Sequence, residues 1–253
     1  MPKKQGILND LLKKAREEGN KLLAILIDPD KFSERDVSSI ARFAKEGADI
    51  FLVGGSLMIS NELESTVQVI KEITEKPVYI FPSSPAHISP SADGLLFLSL
   101  LSSRNAELLI GKHVEAAPLL SASGIHVMST GYLLIDCGNT TTAHYMSQSL
   151  PIPYEKSEIA MATSLAGEYL GMQCIYLDGG SGAKRPISKE MIQSVKSKIS
   201  LPIIVGGGIR NAESARIACE AGADMVVIGT ALENEPELFQ DINIAVHSIR
   251  VPS

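Results

Sequence analysis

The chain has 253 residues, of which 45% are hydrophobic and 21% charged, with 23 Lys+Arg against 29 Asp+Glu and a formal net charge of −6. That balance belongs to a folded globular protein and excludes disorder, which requires low hydrophobicity with high net charge. It also argues against a nucleic-acid partner, because no basic excess is present to neutralise phosphates.

The start, MPKKQGILNDLLKKAREEG, reads as an amphipathic helix rather than a signal peptide. No apolar stretch reaches the roughly 18 residues of a membrane span. Short apolar runs rich in β-branched residues then recur over 22–28, 50–55, 77–84, 94–101, 124–136, 174–180, 202–208 and 225–231. Near-continuous hydrophobicity marks strands covered on both faces, as in a parallel sheet. Helices are predicted between them over 34–47, 57–75, 103–120, 155–171, 189–199, 212–222 and 232–249. Ser33, Ser188 and Asn211 are the predicted N-caps of the helices at 34, 189 and 212. Between the third and fourth strands lies only SPAHISPSAD (84–93), with two prolines and no helical period. A loop replaces a helix there.

Alternating strands and helices predict βα units with right-handed crossovers. Eight units without a linker predict an α/β protein, one (β/α)8 TIM barrel over 1–253, modified by loss of the helix after strand three. A doubly wound open sheet would favour a Gly-rich turn after the first strand. Here that strand ends in IDPDK, and the glycines gather after strands six, seven and eight. Cys137, Cys174 and Cys219 show no metal or disulfide spacing and read as reduced thiols, which points to the cytoplasm.

In a barrel, functional groups sit at the C-terminal strand ends, and phosphate sites often form after strands seven and eight. Gly179-Gly180-Ser181-Gly182, Gly206-Gly207-Gly208 and Gly229-Thr230 would stand side by side. Their backbone N–H groups form a candidate phosphate cradle, although the same glycines also serve tight turns. Asp28 closes the first strand, and a desolvated carboxylate needs a cation. Mg²⁺ fits, with the Ser56 hydroxyl from the next strand end and with ligand phosphates. The other reading of Asp28 is a turn or cap residue, which is the preferred reading of Asp30. Tyr176 and Asp178 share one face of strand six. They are placed to hydrogen-bond a polyol, with Asp178 as proton acceptor from a hydroxyl nucleophile. A core tyrosine beside an Asx turn is the alternative. Lys112 and His113 fall in the helical stretch after strand four, where a solvated lysine is the commoner outcome. His87, His126, His144 and His247 have no partners at zinc-ligand spacing.

Together, IDPDK, VGGS, GKH, YLDGGSG, VGGGIR and IGTALE, in this order over essentially the whole chain, resemble the geranylgeranylglyceryl phosphate synthase family. Its relatives include heptaprenylglyceryl phosphate synthase, and the length, the sixth-strand loop and the N-terminal helix resemble its larger-chain group II. The resemblance implies a prenyltransferase that joins sn-glycerol 1-phosphate to geranylgeranyl diphosphate through an ether bond and releases diphosphate. It implies a barrel lacking its third helix, Mg²⁺ as cofactor, self-association as a dimer or hexamer, and contact of a lipid product with a membrane. Carried over residue by residue, Asp28 and Ser56 match the metal positions. Tyr176, Leu177, Asp178, Gly179, Gly180, Ser181 and Gly182 match the glycerol-phosphate segment, joined by Gly207, Gly208, Gly229 and Thr230. Many relatives carry Glu where this chain has the shorter Asp178. Phe81, Phe97, Leu98, Leu100, Tyr132 and Leu133 are the candidate lining of a prenyl groove. Two other classes stay open: an isomerase, aldolase or cyclase acting on a soluble sugar phosphate, and a barrel that binds without catalysis.

Overall fold

Eight apolar strands, none able to stay in water on either face, solve their burial by closing on themselves. In the computed structural model, which describes residues 4 and 6–250, these are β1 (Leu22–Ile27), β2 (Ile50–Gly54), β3 (Val78–Phe81), β4 (Gly94–Leu100), β5 (His126–Leu134), β6 (Cys174–Asp178), β7 (Ile203–Gly206) and β8 (Met225–Ile228). Each pairs in parallel with the next, and β8 returns to β1. The helices are α1 (Ile7–Glu17), α2 (Val37–Glu46), α3 (Leu63–Ile73), α4 (Lys112–Ser123), α5 (Thr142–Ser147), α6 (Ser157–Tyr169), α7 (Lys189–Lys196), α8 (Ala212–Ala221), α9 (Thr230–Asn234) and α10 (Leu238–His247). Among the described residues no helix is long and apolar enough to cross a membrane. The single-domain reading extends to the outermost residues 1–3, 5 and 251–253, which lie outside those described.

Period-2 alternation divides the core in two. Leu23, Ile25, Phe51, Val53, Ile175 and Leu177 pack outward against the helices. Leu22, Ala24, Ile50, Leu52, Tyr176 and Ile204 fill the barrel interior. The α1 helix belongs to the interior set: its Leu8 and Leu12 are buried there, plugging one end. Each such side chain stabilises the fold by roughly 1.5–3 kcal/mol. The hydroxyl of Tyr79 on β3 accepts the N–H of Leu8 at 3.1 Å and fixes the plug.

At the same end Asp224, 3% exposed, accepts the N–H of Ile203 at 2.9 Å. It also faces Lys196 at 3.1 Å, Lys21 at 3.7 Å and Arg16 at 3.8 Å. Burial pulls the Lys21 ammonium below its ordinary range, and the Asp224 charge opposes that shift. Asp224→Ala should therefore destabilise the protein by roughly 3–5 kcal/mol, because it strands a buried cation. A urea unfolding midpoint unchanged from wild type would contradict this.

No helix separates β3 from β4, as the two prolines predicted. Several boundaries differ from the sequence reading. The helix expected at 34 starts at Val37, and Ser33 is not its cap; its N–H and hydroxyl both donate to Asp36. The helix expected over 57–75 starts only at Leu63. The 103–120 stretch opens with a π-helical turn at Glu107–Gly111 before α4. Pro236 divides the last predicted helix into α9 and α10. Ser188 and Asn211 do cap α7 and α8, accepting the N–H groups of Met191 and Ser214.

Candidate active site

The loops leaving the C-terminal ends of β6, β7 and β8 press against one another. At Gly207, φ is +70°, and a Cβ there would lie 2.6 Å from the Gly180 nitrogen. A Cβ on Gly206 would lie 2.2 Å from the Tyr176 hydroxyl. Only glycine permits this contact between the two loops and the tyrosine beneath. The hydroxyls of Ser181 and Thr230 are 3.1 Å apart, which brings the β8 loop to the same place. Not every amide is free. The N–H of Gly179 donates to Gly206 O at 3.2 Å, and that of Gly180 to Asp178 Oδ1 at 2.7 Å. The amides of Ser181, Gly182, Gly207 and Gly208 donate to nothing among the described residues. Those four amides are therefore the ones left available to an anion. Leu177 faces the outer core, so it contributes only backbone.

Register places Tyr132 opposite Tyr176 and Leu134 opposite Asp178. Inside the barrel the Tyr132 hydroxyl donates to Asp178 Oδ2 at 2.5 Å. Burial pushes the Asp178 carboxyl up from its ordinary range, while Tyr132, the Gly180 N–H and the charge of His144 draw it back. Burial also keeps both tyrosines protonated, far above their usual range, with the Asp178 charge adding to the shift. The Tyr176 hydroxyl has no partner among the described residues and is available to a ligand oxygen. Phe81, Tyr132 and Tyr176 form a triangle of rings with centroids 5.4–5.8 Å apart.

Next to this triangle opens a cavity of about 450 Å³. Its walls include Phe81, Leu98, Leu100, Tyr132 and Leu134 from the barrel interior, and Leu95, Phe97, His113 and Leu120 from outside β4. The seam between β3 and β4 explains how one cavity reaches both sides. Only Tyr79↔Gly94 and Ile80↔Leu95 pair there, whereas β4 and β5 stay paired from Gly94↔His126 to Leu100↔Tyr132. Above Ile80 the wall is split, and no helix covers the split. Leu133, expected in the lining, points instead into the outer core, and Leu134 takes its place. Lys112 lines the cavity while exposed, and the His113 ring stacks edge-on to Phe97 with its Nε2 3.2 Å from the Ser99 hydroxyl.

The polar end of the cavity carries Gly55 and Ser56. Asp28 stands beside it, close enough that a Cβ on Gly55 would lie 3.4 Å from Oδ1. Asp28 Oδ1 accepts the Asp30 N–H at 3.1 Å, and Oδ2 faces Lys31 at 3.4 Å. Lys31 also reaches Glu233 on α9 at 2.9 Å, tying this corner to the β8 loop. No group of three or more His, Cys, Asp or Glu side chains able to hold a metal occurs among the described residues. One carboxylate and one unbonded hydroxyl suit Mg²⁺, which keeps most positions for water and ligand phosphates. Asp30 lies in the turn after β1, as expected, but it caps no helix: bonds from the Ser60 hydroxyl and from the N–H groups of Ile59 and Ser60 hold its carboxyl below its ordinary range. Sequence reasoning missed the Tyr132–Asp178 pair and the Asp30 contacts. It also missed α5, whose cap Thr141 packs on Gly180, where a Cβ would lie 2.4 Å from the threonine hydroxyl.

A (β/α)8 barrel with unbonded amides in the loops after β6 and β7, the Thr230 hydroxyl of the β8 loop beside them and an apolar cavity through its wall has the make-up of a phosphate-binding barrel that also admits a hydrocarbon. The PcrB family model matches residues 14–247, and the chain belongs to that family. It is 49% identical over 234 residues to geranylgeranylglyceryl phosphate synthase of Chitinophaga pinensis, covering 92% of this chain and 93% of that protein. It is 39% identical to the synthase of Methanopyrus kandleri, over 88% of this chain and 93% of that one. The crystal structure of (S)-3-O-geranylgeranylglyceryl phosphate synthase from Thermoplasma acidophilum in complex with its substrate sn-glycerol-1-phosphate superposes with a TM-score of 0.90. It is 35% identical and covers 97% of this chain and 100% of that chain.

Proposed function

We propose that this protein is a prenyltransferase that joins sn-glycerol 1-phosphate to geranylgeranyl diphosphate, giving geranylgeranylglyceryl phosphate and diphosphate. The observation that carries this reading is Tyr132. Its ring lines the apolar cavity and its hydroxyl holds Asp178, so a hydrocarbon donor and a polar acceptor meet at one residue. An isomerase of soluble sugar phosphates has no use for a 450 Å³ cavity walled by Phe81, Phe97, Leu98 and Leu100.

The free amides at Ser181, Gly182, Gly207 and Gly208 hold the acceptor's phosphate. Tyr176 and Asp178 orient its terminal hydroxyl. That oxygen forms the new bond to C1 of the prenyl chain as the C1–O bond to diphosphate breaks, and its proton passes to Asp178. The rings of Phe81, Tyr132 and Tyr176 favour the allylic positive charge that develops at C1. Asp28 and Ser56 would hold Mg²⁺, which neutralises the departing diphosphate when bound. Catalysis is then positioning plus electrostatics. Apolar side chains exposed on α4 and at the end of α6, Val114, Leu119, Tyr169 and Leu170, support association of copies of the chain.

The test is incubation with each glycerol phosphate enantiomer, Mg²⁺ and prenyl diphosphates of several lengths. An ether product from the sn-1 enantiomer, equimolar with diphosphate, is expected. Binding of both substrates without product would leave only a carrier.

A further inference from the structure

Between β2 and α3 the chain runs from Gly55 to Glu62 without regular secondary structure. The amides there have no ladder to join. Those of Ile59 and Ser60 donate instead to the carboxylate of Asp30, at 2.6 and 3.0 Å, and the Ser60 hydroxyl donates to it at 2.5 Å. Met58 packs partly buried against the outer core, but from Ile59 onward apolar burial holds nothing, because the Ile59 side chain is 87% exposed and the Asp30 bonds begin there. Upstream in the same loop, Gly55, Ser56, Leu57 and Met58 form one wall of the cavity. Meanwhile the backbone N–H of Asp30 donates to Asp28 Oδ1. One residue therefore grips in two directions: its main chain orients Asp28, and its side chain fastens the loop that carries Ser56.

We propose that Asp30 is a positioning residue for the prenyl diphosphate side of the site. It holds the 55–60 loop so that the Ser56 hydroxyl stays near Asp28 and the cavity wall stays closed at its polar end. The inference rests on the prenyl-transfer reading above. Asp30 has no bond to the β6, β7 or β8 loops among the described residues, so its influence falls on one substrate and spares the other.

The test compares wild type, Asp30→Ala and Asp30→Asn. Hydrogen exchange is measured without substrates over peptides spanning 55–62, and steady-state kinetics are measured with each substrate varied. In the alanine variant, exchange at 59–60 should rise about tenfold or more, because opening the loop no longer breaks three bonds. Its KM for the prenyl diphosphate should rise about tenfold, with the KM for glycerol phosphate within about twofold of wild type. The asparagine variant keeps one acceptor oxygen and should fall between. Unchanged exchange over 55–62 in Asp30→Ala would overturn the clasp. An equal rise in both KM values, or a fall in kcat alone, would overturn its selectivity. If wild type forms no ether product, the prenyl-transfer reading fails by itself, and the exchange measurement alone decides whether Asp30 fixes the loop.

Discussion

Asp28→Ala should reduce product formation by about a thousandfold or more, a loss in keeping with removing several kcal/mol of charge stabilisation from the departing diphosphate. No neighbour can take its place. Asp30 is committed to Ile59 and Ser60, and Glu233 to Lys31. The barrel should remain folded. Lys31 keeps Glu233 at 2.9 Å, and Asp28 and Lys31 are both partly open to water, where such pairs contribute little. Thermal unfolding should match wild type while the rate collapses. A variant within tenfold of wild-type turnover would remove Asp28 from the cation site.

Strand positions were readable because both faces of most strands are buried, which writes eight apolar runs into the chain. The same property hides which alternate residues face inward. In Tyr132-Leu133-Leu134 all three side chains are apolar or aromatic, so only the register against β6 shows that Tyr132 and Leu134 face the cavity and Leu133 the helices. The missing helix was legible from Pro85 and Pro90, which break any helical period. The start of α3 was not. Leu63, Val67 and Ile70 set its apolar face, but nothing local to 57–62 reveals that a carboxylate nearly thirty residues earlier claims the amides of Ile59 and Ser60. The glycine loops show a similar divide. Their places at the strand ends follow from spacing, yet Gly179 and Gly180 prove committed to Gly206 and Asp178 while the amides of Ser181 and Gly182 stay free. Sequence locates the loop; only the packed neighbours decide which N–H groups remain for a ligand.

Asp178→Asn should separate activity from stability in opposite directions. A carboxylate acting as proton acceptor, the role proposed for Asp178, is worth about 10²–10⁴ in rate, and an amide cannot replace it. Its burial has a second consequence. The native pKa is raised above the ordinary 3.8, chiefly by desolvation. A raised carboxyl pKa means the fold prefers the protonated form. That contribution to stability is present below pH 3.8 and is lost as pH rises through the native value. With the native pKa raised, wild type at pH 7 bears the cost of either burying the charge or protonating the carboxyl, and asparagine bears neither. The asparagine oxygen can still accept the Gly180 N–H, and its amide can donate to the Tyr132 hydroxyl, which accepts as readily as it donates. The variant should unfold at higher urea concentration than wild type at pH 7, and the difference should shrink as pH falls toward 3.8. The wild-type rate should fall on acidification through the raised pKa, whereas the residual rate of the variant should stay flat over that limb. A variant less stable than wild type at pH 7 would overturn the burial argument, and one that keeps the acid limb would show that the group titrating in catalysis is not Asp178.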